Sequence, residues 1–367
     1  MEYTKEELIE KIKYYADAYY SGREEISDAD YDTLIEQLRV LDPENELIAG
    51  LAGDEDEAEA NAAGYKKVDH ILTTGTLSKC MTVEAFKEWS DKHPVQYHVS
   101  AKEDGCSMEL VYRNGKLAQM ISRGNGYIGF DKIPLAKYLN IPQTIDITKD
   151  ISIRGEFELS NSAFKSHKVF EGLKNPRNAG SGLLNKKESD LTTEEKEAMK
   201  EMKFFAYDVR GIDFKQKADI FAFLLERGFT VPENRICNSY DEVLAFREEL
   251  AKVRGTDEEE YAIDGIVIFE NVYDAEDQKE KIQKRAVALK FDLMIARTKL
   301  IDIEWSLNGS YLTPIGITEP VWLDGTTVKR AKLCNLSVIN GLGIKIGDYV
   351  NICKCGEIIP KIISKAD

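Results

Sequence analysis

The chain has 367 residues, of which 43 % are hydrophobic and 31 % charged, and its formal net charge is −16. That length calls for two or three domains, and that charge excludes a uniformly basic nucleic-acid binder while leaving room for local basic faces. No run of apolar residues is long enough for a membrane span. The charged start MEYTKEELIEKIKYY does not read as a signal peptide, and the six scattered cysteines lack any C-x-x-C pair, so the expectation is a cytoplasmic protein without membrane partners, disulfide framework or four-cysteine zinc site.

Residues 4–20 and 28–41 carry helical periodicity, with Leu8, Ile12 and Tyr15 in the first and Tyr31, Leu34, Ile35 and Leu38 in the second. Ser27 is a good N-cap for the second, and Asp28 and Asp30 suit its positive end. Asp28, Tyr31 and Asp32 share one face. They serve either as dipole partners or, with Tyr19 and Tyr20, as a grip on a cationic or amide-bearing ring; periodicity alone favours capping. The stretch 51–64 is acidic, small and aperiodic, and reads as a linker.

From 69 to about 293 short strands mix with helices, which predicts an α+β body with a largely antiparallel sheet. Strands are expected at 95–101, 106–113, 117–122, 151–159, 203–209 and 263–269, and helices at 82–91, 161–167, 191–201, 215–227 and 240–253. Asn114-Gly115 closes a hairpin. Asn175 to Gly182 reads as a loop of small residues beside basic ones. Residues 296–367 read as five short strands at 300–307, 312–319, 327–333, 349–353 and 357–363, which suits an oligonucleotide-binding (OB) type of barrel. Cys353 and Cys355 share a face in it and read as ordinary strand residues.

Charged residues recur inside these strands. Lys102 precedes Glu103-Asp104-Gly105, and a lysine becomes a nucleophile when desolvation or nearby positive charge lowers its pKa. Ser122 to Gly126 offers Arg123 and flexible backbone, suited to phosphate or sugar or simply to a turn. Arg154-Gly155-Glu156 places a glycine between opposite charges in a strand, a mark of close approach. Asp264 opens one apolar strand, and Lys290 sits in another apolar run, where burial without a partner is costly. Together they imply a polar cleft. Basic residues also cluster at 165–187 and 279–299, which matters only if each cluster folds onto one side.

The ordered set resembles the NAD-dependent DNA ligases of bacteria and some of their viruses. The likeness rests on I-S-D-A-D-Y-D (26–32), K-E-D-G (102–105), S-R-G-N-G (122–126), I-R-G-E (153–156), N-P-R-N-A-G (175–180), I-D-G-I-V-I (263–268), A-L-K-F (288–291), L-T-P (312–314), E-P-V (319–321), L-D-G-T-T-V (323–328), I-G-D (346–348) and I-I-P-K (358–361). It implies an α+β multidomain fold: a helical NMN-binding module with the acidic linker (1–68), a nucleotidyltransferase (adenylation) domain with antiparallel sheets (69–295) and an OB domain (296–367). It also implies nick sealing by three steps, through a lysyl-AMP on Lys102, with NAD as AMP donor, Mg²⁺ as metal and nicked duplex DNA as partner. Asp104, Glu156 and Lys290 join Lys102 as catalytic candidates, with Lys290 and metal keeping Lys102 neutral. Glu156 is the metal candidate. Arg123, Glu156, Tyr207, Asp264, Lys290, Leu77 and Ser78 would hold the adenylate half. Tyr19, Tyr20, Asp28, Tyr31 and Asp32 would hold the nicotinamide half, and Arg177, Lys186 and Lys187 the nucleic acid.

The sequence departs from that pattern at several positions. Ser100 stands where glutamate is usual, Phe269 where a lysine ends the D-G-x-V-x-K motif, Asn185 and Asn308 where arginines are usual, Tyr20 for a histidine and Asn125 for an aspartate. Lys281 and Lys284 are candidate substitutes for the lysine missing at 269. The zinc-finger, helix-hairpin-helix and BRCT regions of longer relatives have no counterpart in these 367 residues, so the expectation is a monomer that is a compact viral form, one half of a split enzyme or a truncated chain. Alternative readings are a nucleotidyltransferase with another donor or an RNA acceptor, and a catalytically weakened nick-binding protein.

Overall fold

The structure is a computed structural model. It describes residues 3–20, 34, 37, 38, 41, 42, 64–71 and 76–366, apart from 81, 125, 174, 257, 278–281, 292–293, 309–310, 324–325 and 356–358. Most of the expected second helix, with Asp28, Tyr31 and Asp32, lies outside the described residues, as do the 51–64 stretch short of Gly64, Asn125, and Lys281. Residues 52–292 form one compact unit, and residues 1–51 with 293–367 the other.

Eleven strands build two sheets in the 52–292 unit: β1 (Lys66–Asp69), β2 (Thr76–Cys80), β3 (Tyr97–Glu103), β4 (Cys106–Arg113), β5 (Lys116–Ser122), β6 (Ile128–Asp131), β7 (Ile151–Glu158), β8 (Lys203–Arg210), β9 (Asn234–Cys237), β10 (Ile263–Glu270) and β11 (Ile282–Lys290). One sheet runs β1-β6-β5-β4-β7-β8 and the other β2-β11-β10-β3-β9. The two-residue period of a strand gives each sheet a core face and a polar face. In β3, Tyr97, Val99 and Ala101 enter the core of the second sheet with Ile266 and Ile268 of β10 and Val287 and Leu289 of β11. The alternate residues His98, Ser100, Lys102, Val267, Phe269 and Lys290 are therefore on the opposite face. Leu110, Tyr112, Met120, Ile153, Phe157 and Phe204 fill the core of the first sheet.

The β4–β5 hairpin turns at Asn114 and Gly115, both with positive φ (47° and 75°), as a two-residue turn of matching twist requires. Between β3 and β4 the chain passes from one sheet to the other through Asp104 and Gly105 alone. Gly105 makes that crossing possible: a Cβ there would lie 2.5 Å from the Phe157 carbonyl oxygen and 2.6 Å from Glu158 Cγ.

The segment read as a loop at 175–182 is instead a helix, Pro176–Asn185. Asn175 caps it by accepting from the Asn178 amide at 2.8 Å, and Pro176 occupies its first turn, where no N–H is needed. Its small residues serve packing: Ala179 and Gly180 are buried, and a Cβ on Gly180 would lie 3.2 Å from Met202 Cε. Composition pointed to a loop because close helix packing and loop flexibility select the same residues.

In the other unit, the helix Lys5–Tyr20 packs Leu8 and Ile12 against Leu34 and Leu38. Strands β12 (Ile295–Asn308), β13 (Tyr311–Leu323), β14 (Thr326–Lys332), β15 (Tyr349–Cys355) and β16 (Ile359–Lys365) close into a barrel in the order β12-β13-β14-β16-β15. Leu300, Val328, Val350, Ile352 and Ile362 fill it. Among the described residues no helix is long and apolar enough to cross a membrane.

Candidate active site

Three strands of the second sheet converge on one carboxylate. Lys102 of β3 reaches Asp264 Oδ2 at 2.5 Å, and Lys290 of β11 reaches the same oxygen at 3.0 Å. Gly265 permits this: it stands opposite both Lys102 and Lys290 in the ladder, its φ is +154°, and a Cβ would lie 2.4 Å from the Leu289 carbonyl oxygen and 2.7 Å from Lys290 Cα. Burial raises the Asp264 pKa, but the charges and hydrogen bonds of both lysines outweigh it and hold the carboxyl at about 2.

The same contact acts on Lys102. Burial, the largest single influence, pulls the Lys102 pKa down, but the charge and hydrogen bond of Asp264 with the charges of Asp104 and Glu156 together outweigh it, so the net shift is upward. With Asp264 as its partner, the ammonium form of Lys102 is the favoured one.

The first sheet faces this group with acids. Burial raises the Glu156 carboxyl to about 7, against the Lys102 charge and a hydrogen bond from the Tyr207 hydroxyl, which donates to Glu156 Oε1 at 3.2 Å. Arg123 and Arg177 also act on Glu156 through their charge. Arg177 pairs with Asp104 Oδ1 at 2.8 Å, so the N-P-R-N and K-E-D-G segments meet. Glu103 and Glu158, which the sequence reading did not single out, are both raised by burial first, Glu103 to about 8. Glu103 Oε2 and Glu158 Oε1 find no hydrogen-bond partner among the described residues.

A second missed group holds the Arg123 turn. His70 Nε2 lies 3.0 Å from the Arg123 carbonyl oxygen, and its Nδ1 is bonded to Glu109, which is almost fully buried. Gly124 in that turn has φ +51°, and a Cβ on it would overlap the Ile128 carbonyl. His70 directly follows β1 and carries no motif of its own, so only the folded chain brings it to Arg123.

Other expected residues are placed apart from the lysine cluster. Leu77 and Ser78 lie on β2, the edge strand, with β11 between them and β10. Lys186 is paired with Glu195 at 2.5 Å, and Lys187 is exposed. Tyr19 and Tyr20 end the helix Lys5–Tyr20, but their side chains are outside the described set. Of the basic residues described in 282–290, Lys290 enters the cleft, Arg285 pairs with Glu270 and Asp274, and Lys284 is exposed.

Among the described residues no three metal-ligating side chains are grouped as a cage. A magnesium ion does not need one, since it keeps waters and uses one or two carboxylates with substrate phosphates. Glu156, half-buried beside Lys102, fits that donor set.

The family model of the NAD-dependent DNA ligase adenylation domain matches residues 62–293, and that of the NAD-dependent DNA ligase OB-fold domain matches residues 297–367. The chain belongs to the NAD-dependent DNA ligase family. The DNA ligase of Treponema denticola is 34 % identical over 98 % of this chain and 57 % of its own length. A DNA ligase of Campylobacter jejuni is 31 % identical over 98 % of this chain and 58 % of its own. The chain thus spans somewhat more than half the length of these relatives. Among solved structures, one described as a Lig E DNA ligase aligns with a TM-score of 0.46 at 11 % identity, over 80 % of this chain and 100 % of that one. The α+β architecture with an adenylation domain and an OB-fold domain is that of the family.

Proposed function

We propose that the chain seals nicks in duplex DNA with NAD as the AMP donor. The reading is carried by Lys102 and Lys290 sharing one oxygen of Asp264 at the crossing between the two sheets. In the first step the Lys102 amine attacks the α-phosphorus of NAD, a phosphorus–nitrogen bond forms, and NMN leaves. In the second, AMP passes from Lys102 to the 5′-phosphate at a nick. In the third, the adjacent 3′-hydroxyl attacks that phosphate and AMP departs.

Lys102 must lose its proton before attacking. Lys290 already sits on the oxygen that holds Lys102 charged, so it can take over that carboxylate as the Lys102 proton leaves. Developing charge on the phosphate is met by preorganised cations, for which Lys290 and Arg123 are the candidates. Glu156 would hold Mg²⁺ or a ribose hydroxyl, and the metal, when bound, neutralises phosphate charge. Tyr207 would stack on the adenine. The Tyr19, Tyr20, Asp28, Tyr31 and Asp32 set would hold the nicotinamide half. Arg177, Lys186 and Lys187 would meet the DNA backbone.

The test is sealing of a labelled duplex with a 5′-phosphorylated nick, in Mg²⁺ with either NAD or ATP, by the chain and by Lys102→Ala. Sealing with NAD alone, abolished in the variant, is expected. Sealing with ATP, or by Lys102→Ala, would overturn the proposal.

A further inference from the structure

Lysine is rarely fully buried, yet among the described residues of the 52–292 unit two lysines are, Lys132 at 0 % and Lys217 at 2 % exposure. Lys217 is also the first residue of the helix Lys217–Glu226, where the helix dipole opposes a cation. Its ammonium donates to the Tyr207 carbonyl oxygen at 3.1 Å and to Asp208 Oδ1 at 3.2 Å, and lies 4.2 Å from the centroid of the Phe269 ring. Asp208 is shared: Arg210 Nε reaches its other oxygen at 2.8 Å. Arg154, Arg210 and Lys217 act electrostatically on Asp208, and Arg154 also on Glu109, which is bonded to His70. These linked, buried groups hold more cation than anion.

One end of this network, Lys217, meets the Phe269 ring. Phe269 stands opposite His98 in the β10–β3 ladder, on the face that carries Lys102. Burial lowers His98 to about 4, and the Lys217 charge adds to that shift; His98 itself is buried against Phe221. The Tyr207 backbone it holds belongs to the residue whose hydroxyl bonds Glu156. Lys132 repeats the arrangement elsewhere: its ammonium donates to Asn185 Oδ1 at 3.0 Å and lies 4.1 Å from the centroid of the Tyr65 ring. Phe269 and Asn185 are two of the positions where this sequence lacks a cation of the family pattern, and a buried lysine from another element reaches each.

We infer that Lys217 is a relocated cation: it supplies from a helix the positive charge that position 269 no longer carries, and by holding the Phe269 ring and the Tyr207 backbone it positions the nucleotide for adenylyl transfer. The inference rests on the proposed adenylyl transfer to Lys102. It makes Lys217 a positioning residue and not a group that touches the reacting atoms.

Four proteins test it: the unsubstituted chain, Lys217→Met, Phe269→Lys and the double variant. Each is assayed for AMP uptake from NAD, with kcat and KM separated, and for thermal melting. Lys217→Met keeps the volume and removes the charge, and should lower kcat/KM about tenfold, mainly through KM. Phe269→Lys alone should also lose activity, because two ammonium groups then crowd one place. The double variant should recover kcat/KM to within a few-fold of the unsubstituted chain, the coupling expected of two residues in contact that exchange a charge. Losses that multiply in the double variant, or an unaffected Lys217→Met, would overturn the inference while leaving adenylyl transfer standing. An unsubstituted chain that takes no AMP from NAD would overturn the adenylyl-transfer reading and the inference with it.

Discussion

Asp264→Asn keeps the shape of the site and removes the charge that joins Lys102 to Lys290. At an effective dielectric of about 20, each ammonium–carboxylate contact at these distances is worth roughly 6 kcal/mol before desolvation. Desolvation consumes most of that, and breaking a buried pair from one side costs about 3–5 kcal/mol net. The lysine side chains are 25 % and 29 % exposed and Asp264 5 %, so solvent relieves part of the cost and about 2–4 kcal/mol remains. For a unit of this size that is a fall in melting temperature of about 5–15 °C. The pH dependence has a definite sign. Asp264 is held at about 2, so its contribution is present above the ordinary carboxylate range and is lost as pH falls through about 2. Lys102 is raised, so its contribution is present below the ordinary lysine range and is lost as pH rises through the raised value. The melting difference should therefore be full near neutral pH and shrink toward about pH 2. Removing Asp264 also leaves burial as the main influence on Lys102, so AMP uptake should reach its plateau at lower pH. Melting curves from pH 2 to 9 and an uptake–pH profile, for both proteins, would check this. An unchanged melting temperature, or a profile displaced to higher pH, would refute the reasoning.

Gly265→Ala forces a Cβ onto the Leu289 carbonyl and Lys290 Cα; it should cost at least about 3 kcal/mol and displace Lys290 from Asp264, so melting and AMP uptake fall together. His70→Ala leaves the buried Glu109 without its imidazole partner. It should cost about 3 kcal/mol and raise KM for NAD by loosening the Arg123 turn, whereas His70→Ala with Glu109→Gln should regain stability without regaining KM. Arg177→Ala removes a partly exposed ion pair with Asp104 and should change stability by less than about 1 kcal/mol. Its nicked-duplex affinity should fall, with the slope of log affinity against log salt reduced by about 1 in fluorescence anisotropy titrations.

Alternation and turn chemistry made much of the architecture legible. The strands at 106–113, 151–158 and 203–210 and the helix at 240–253 follow from local periodicity, and Asn114-Gly115 from the twist of a hairpin. The strands without an expectation, β1, β2, β6 and β9, are four or five residues long, too short for a period to register. β11 showed only its apolar end. The residue types of the candidate site were legible, but their partners were not. That Asp264 sits between two lysines depends on ladder register and on Gly265. That His70 holds the Arg123 turn, and that Lys217 faces Phe269, are contacts between distant segments that no local pattern encodes. The charge balance at Lys102 was hidden for the same reason: the sequence showed the neighbouring lysine and not the carboxylate between them.

The most direct measurement is the intact mass of the chain after removal of any bound AMP and incubation with Mg²⁺ and either NAD or ATP, followed by peptide mapping of the adduct. The account predicts a gain of one AMP from NAD only, mapped to Lys102 and lost in Lys102→Ala. An adduct on another residue, a gain from ATP, or no gain from NAD would contradict it.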